Sequence, residues 1–175
     1  MDDTQRLLDL NDLHALKARY FRALDTKDWP SLRAVFADDL VYYRDPGYGE
    51  PSAAPSVVGA DAFLENVKRR HSTSVTVHHG HGPEIQLTGD DTATGVWALF
   101  DWVDNYAEGH AWKGYGHYHE HYLKGTDGRW RIKEMRLSRV RVDAVQTTDP
   151  REVQRGIDVW AGGKLPAGLN IDDYH

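Results

Sequence analysis

The chain has 175 residues, a net charge of −6, 40% hydrophobic and 27% charged side chains, six tryptophans and no cysteine. That size fits one domain with a single core, and the missing cysteines exclude disulfide frameworks, Cys-ligated zinc or iron–sulfur centres and a cysteine nucleophile. No basic cluster exceeds Lys68-Arg69-Arg70 and no apolar run reaches membrane length, so neither nucleic acid nor a bilayer is an expected partner; the acidic, non-secretory N-terminus makes a cytoplasmic location the expectation.

Leu10, Leu13, Leu16, Tyr20 and Leu24 recur at three- and four-residue steps, which predicts an amphipathic helix over roughly residues 9–25, capped by Asp9 or Asn11. Asp28-Trp29-Pro30 reads as a fresh helix start, with Asp28 as cap and Pro30 in the first turn, running to about Phe36. A short strand over 40–44 leads into a Gly/Pro/Ser-rich loop at 45–55, then a third helix over 61–70 with Phe63, Leu64 and Val67 as its apolar side. Residues 75–79, 84–87, 92–106, 112–124 and 129–142 are strand-like, and a tight turn makes the last two a hairpin. Three helices followed by an antiparallel meander predict an α+β domain over 1–145, with helices on one face of a curved sheet. Residues 146–175 form a tail with a short helix near 151–160, expected to cap a cavity, contact a neighbouring subunit or stay partly disordered.

The chemistry centres on 76–87, TVHHGHGPEIQL. Strand alternation sends His78 and His79 to opposite faces, so one is expected to be functional and the other structural. His81 is a reserve candidate should the strand bulge at Gly80. A histidine base needs a carboxylate to orient it and hydroxyls to polarise a substrate. Asp25 near a helix end could take the ring N–H while Tyr20 bonds a substrate oxygen. On the residues alone, the better supported alternative is that Asp25 begins a turn and Tyr20 is core.

On the strand over 112–124, Tyr115, His117, His119, His121 and Leu123 share one face and Tyr118, Glu120 and Tyr122 the other. The histidine row could chelate a divalent metal, line a pocket or decorate a solvated face; no second ligand motif accompanies it, so no metal is expected. Trp97, Leu99, Asp101 and Val103 share a face of the preceding strand, and Asp101 is either outward-facing or a second pocket carboxylate. Arg136, Arg139 and Arg141 read as a solvated face.

The segments ALDTKDWPSLRAVFADDLVYY, HHGHGPEIQLTGDDTATGVWALFDWV and GHYHEHYLKGTDGRWRIKEMRLSRVRVD resemble the SnoaL-like family of the nuclear transport factor 2-like superfamily, over Leu10 to Asp143. The resemblance implies a cone-shaped barrel: a strongly curved, mainly antiparallel sheet whose N-terminal helices enclose a hydrophobic pocket. LDTKDW is similar to the scytalone dehydratase segment with the catalytic Asp, which places that role on Asp25, and counting back from Ala93-Thr94-Gly95 places the catalytic histidine on His78. Leu24 stands where scytalone dehydratases have a tyrosine, which argues against scytalone itself. Tyr20, five residues before Asp25, matches the bile-acid 7α-dehydratase pattern instead, and Asp101 corresponds to that enzyme's second carboxylate. The family's pocket asparagine falls on His119, a second departure, and its other pocket tyrosine on Tyr43.

The expectation is a cofactor-independent lyase of the dehydratase type acting on a small hydrophobic cyclic or aromatic substrate. His78, Asp25 and Tyr20 would be catalytic, and Tyr43, Trp97, Asp101, His119 and His81 would contact substrate. A ketosteroid-type isomerase and a non-catalytic hydrophobic ligand-binding domain are the alternatives. A homodimer or homotrimer is expected, because this fold's exposed sheet face is usually covered.

Overall fold

The computed structural model describes residues 2–45, 50–105 and 107–146. Helix α1 spans Asp3–Asp25, six residues longer at its start than the leucine spacing suggests. Asp2 supplies the cap, its carboxylate accepting the Gln5 N–H at 2.7 Å, an interaction typically worth about 1 kcal/mol. Asp9, expected as a cap, is instead buried inside the helix contact and held by Lys124 at 2.6 Å and the Trp130 indole N–H at 3.0 Å. Helix α2 (Trp29–Ala34) starts as expected, with Asp28 accepting from the Ser31 N–H, and α3 spans Ala60–His71.

Strands β1 (Phe36–Arg44), β2 (Val57–Val58), β3 (Val75–Leu87), β4 (Thr92–Asn105), β5 (His110–Lys124) and β6 (Trp130–Gln146) form one sheet in the order β2-β1-β6-β5-β4-β3. β1 runs parallel to β6; the other neighbours are antiparallel. The sequence reading divided β3 in two at Gly82-Pro83, whereas the strand continues through a register shift between His81 and Glu84. β2 went unread because two residues carry no period. The tail helix expected near 151–160 lies outside the described residues.

The helices cover one sheet face. Leu13, Leu32, Leu40, Ile132 and Met135 are wholly buried between the layers. Each such side chain stabilises by roughly 1.5–3 kcal/mol. α1 lies close on β3 because Gly80 has no side chain; a Cβ there would come within 2.5 Å of the Phe21 ring.

A polar chain runs through this apolar layer. The Lys17 ammonium meets Glu120 Oε1 at 2.5 Å, Tyr122 donates to Glu120 Oε2 at 2.5 Å, and the Trp97 indole N–H donates to the Tyr122 hydroxyl at 2.8 Å. Lys17 also lies 3.6 Å from the Tyr118 ring centroid. Burial lowers its pKa to about 8 against the opposing pull of Glu120. Tyr118, Glu120 and Tyr122 therefore form the inner face of β5, while His119 and His121 are on the outer one.

Candidate active site

α1, α3 and the open end of the sheet enclose a cavity of about 380 Å³. His78 reaches its wall from β3, on the buried side of the alternation, while His79 and His81 project outward. Asp25, the last residue of α1, meets it there. The Asp25 carboxylate accepts the His78 main-chain N–H at Oδ2 (2.8 Å), and at Oδ1 the Thr76 hydroxyl (2.9 Å) and His78 Nδ1 (2.7 Å). A carboxylate that only accepts fixes the ring proton on Nδ1 and leaves Nε2 as the basic nitrogen.

A reversal after the helix supplies the next partner. Lys27 has a left-handed backbone (φ 60°), and its ammonium returns to Leu24 O at 3.3 Å and the Thr76 hydroxyl at 2.7 Å. A cation at a helix C-terminus is favoured by the exposed carbonyls. Burial lowers the Lys27 pKa to about 8, with Asp25 opposing.

His78 is the register partner of Asp101 on β4, so the two share a face as direct cross-strand neighbours. Asp101 is buried and receives Arg139 Nη2 at 2.6 Å, settling its direction as inward. Arg139 reaches it across β5 over Gly114, where a Cβ would overlap the guanidinium. Asp101 Oδ1 and Arg139 Nη1 are buried without a protein partner, leaving one acceptor and one donor. Both residues line the cavity.

Tyr20 and Tyr118 complete the inner wall, their hydroxyl oxygens 3.5 Å apart. Burial raises the pKa of both phenols, so they remain protonated donors. His71, at the end of α3, is lowered to about 3 by burial and by Lys27 and His78, which keeps it a neutral ring near neutral pH. Its Nδ1 has no partner.

The structure thus brings together His78, Asp25, Tyr20 and Asp101 from the sequence-derived set and separates the others. Tyr43 points away from the cavity under the Arg136 guanidinium (4.2 Å to the ring centroid), and Tyr42, on the opposite side of β1, lines the wall instead. Trp97 lies beneath α1, edge-on to His14 and bonded to Tyr122, outside the cavity lining. His119 is on the outer sheet face with Nε2 3.3 Å from Ser138 Oγ, and His81 is exposed beside His79. Among the described residues no three His, Asp or Glu side chains converge as a metal site.

Tyr42, His71, Tyr118 and Arg139 were missed. Tyr118 carried a readable signal, the Tyr/Glu/Tyr row opposite the histidines; Arg139 did not. Register shifts opposite Tyr122 and Gly116 change which β6 residues face inward, turning Met135, Leu137 and Arg139 to the core side and Arg136 away.

Among solved structures the chain is similar to a proposed scytalone dehydratase from Novosphingobium aromaticivorans: 18% identity, 88% of this chain and 100% of that one covered, TM-score 0.70. It is similar to the hexachlorocyclohexane dehydrochlorinase LinA-type3 from Novosphingobium barchaimii: 13% identity, coverage 85% and 97%, TM-score 0.71. A protein of unknown function from Mycobacterium tuberculosis matches at 24% identity, with 78% and 74% covered and TM-score 0.64. At such identities these three establish the shared cone-like α+β fold. The profile of the SnoaL-like domain matches residues 5–136, and with most of its length inside that match the chain belongs to the SnoaL-like family.

Proposed function

We propose that the protein is a cofactor-independent lyase of the dehydratase type, acting on a small substrate with a cyclic or aromatic body. The observation that carries this reading is the Asp25–His78 contact, which fixes His78 at the wall of the cavity. His78 Nε2 removes a proton from a carbon next to a carbonyl, the C–H electron pair becomes the new double bond, and the neighbouring C–O bond breaks. The departing hydroxide takes a proton and leaves as water. Tyr20 and Tyr118 hydroxyls and Arg139 Nη1 are the available donors for the carbonyl oxygen and the leaving group. Each preorganised donor is typically worth on the order of a hundred- to a thousandfold in rate. The elimination chemistry in the names of the dehydratase-like and dehydrochlorinase neighbours supports the same reaction class.

One observation favours a second reading. Asp101 adjoins His78 in register, so a proton taken from one carbon could be returned to another, giving an isomerase. Incubation with a panel of cyclic β-hydroxy ketones and cyclic β,γ-unsaturated ketones in D2O separates the two by mass spectrometry. Loss of one water, abolished by His78→Ala, supports the lyase. Deuterium incorporation into an isomer of unchanged composition replaces it with the isomerase, and no change in any substrate overturns both.

A further inference from the structure

The cavity mouth is basic in a chain whose net charge is −6. Four arginines line the cavity, Arg44, Arg69, Arg70 and Arg139, against the carboxylates Asp101 and Glu108. Asp101 is taken by Arg139, and Glu108 lies 3.6 Å from His110. Asp45, the sequence neighbour of Arg44, is held by Arg136 at 2.7 Å. Among the described residues Arg44, Arg69 and Arg70 are thus left with no carboxylate partner.

Two of these arginines converge from different elements, Arg44 from the end of β1 and Arg70 from the last turn of α3. Burial and the neighbouring Arg44 charge both hold the Arg70 guanidinium below its ordinary value. Like charges facing one opening repel, and the low-dielectric wall behind them weakens screening. A bound anion removes that cost and gains charge-assisted hydrogen bonds. Leu24, Phe63, Val67, Val103 and Leu137 give the same cavity an apolar lining beside the arginines and His78.

We propose that the substrate is an organic anion whose carboxylate, or equivalent anionic group, is held at the mouth by Arg44 and Arg70 while its apolar body extends toward His78. The inference rests on the proposed function in taking this cavity as the substrate site, and it is tested by binding alone. Calorimetric titrations of the full chain would use benzoate, cyclohexanecarboxylate and 2-naphthoate, each against its uncharged amide, with phenyl phosphate in parallel.

At least one acid should bind about tenfold or more tightly than its amide, with the preference shrinking as salt is raised. The Arg44→Gln/Arg70→Gln chain should lose that preference while keeping the wild-type affinity for the amide. Tighter binding of phenyl phosphate than of benzoate, lost in the same variant, supports the site with a phosphoryl group as its anion. Acid and amide binding equally to wild type, or neither binding, overturns the proposal, as does a preference that survives in the double variant. A His78→Ala chain should keep the preference, so failure of the elimination chemistry and failure of the anion site give different results.

Discussion

Asp25 holds His78 at two points, the main-chain N–H by Oδ2 at 2.8 Å and the ring Nδ1 by Oδ1 at 2.7 Å. Asparagine at 25 would place an amide donor against the ring and favour the opposite tautomer. Asp25→Asn is expected to lower the elimination rate by about 10²- to 10⁴-fold. Nitrogen chemical shifts of the His78 ring check the cause without any substrate: Nδ1–H in the wild type, Nε2–H in the variant. An unchanged tautomer would remove the orienting role.

Gly114 lies opposite Asp101 in the β4–β5 register, and its bare Cα leaves the gap through which Arg139 passes. Gly114→Ala should push the guanidinium off Asp101 and cost about 1–3 kcal/mol in denaturant unfolding. Turnover should fall with it. A variant as stable and active as the wild type would show that the pair does not depend on this gap.

Lys17 and Glu120 are both wholly buried, so neither charge can turn to water when its partner is removed. Lys17→Met is expected to destabilise the chain by about 3–5 kcal/mol, and Lys17→Met/Glu120→Gln to recover most of that loss. Urea unfolding of the three chains measures the coupling directly. Equal losses in the single and double variants would mean that packing around the lysine stem, rather than the charge, is what matters.

His71 supplies a pH dependence of stability. Burial holds its folded pKa at about 3, below the ordinary 6.5, so between these values the unfolded chain binds more protons there. Its contribution is fully present above pH 6.5 and is lost as pH falls toward 3. The His71 ring resonances should therefore stay at their neutral positions from pH 7.5 to about 5. In His71→Phe the fall in melting temperature over the same acid range should be shallower.

The legible parts of the fold were those with an uninterrupted period. The leucine spacing of α1, the Asp28 cap of α2 and the alternation of β4 all read through to the structure. Bulges set the limit. On β6, counting by twos from Trp130 puts Arg136 inward, whereas the observed inward set is Met135, Leu137 and Arg139. The register break between Phe36 and Val41 on β1 belongs with the exchange of Tyr43 for Tyr42 at the cavity wall. His119 was misread for a different reason: which face of β5 is buried depends on where the helices dock, and two alternating polar-aromatic rows do not reveal that.

The contact between Gly80 and Phe21 couples the rate of reaction to how well a helix is seated. Asp25 and His78 belong to separate elements, the end of α1 and the first part of β3, and both lie within a few residues of that contact. Lifting the helix by a fraction of an ångström would lengthen the Asp25–His78 bonds while leaving every strand paired. On warming, activity would then fade while the sheet's circular dichroism stays flat, because the helix end works as a clutch that disengages before the frame gives way. A methyl group at position 80, inside the helix contact and outside the cavity lining, would slip that clutch at every temperature.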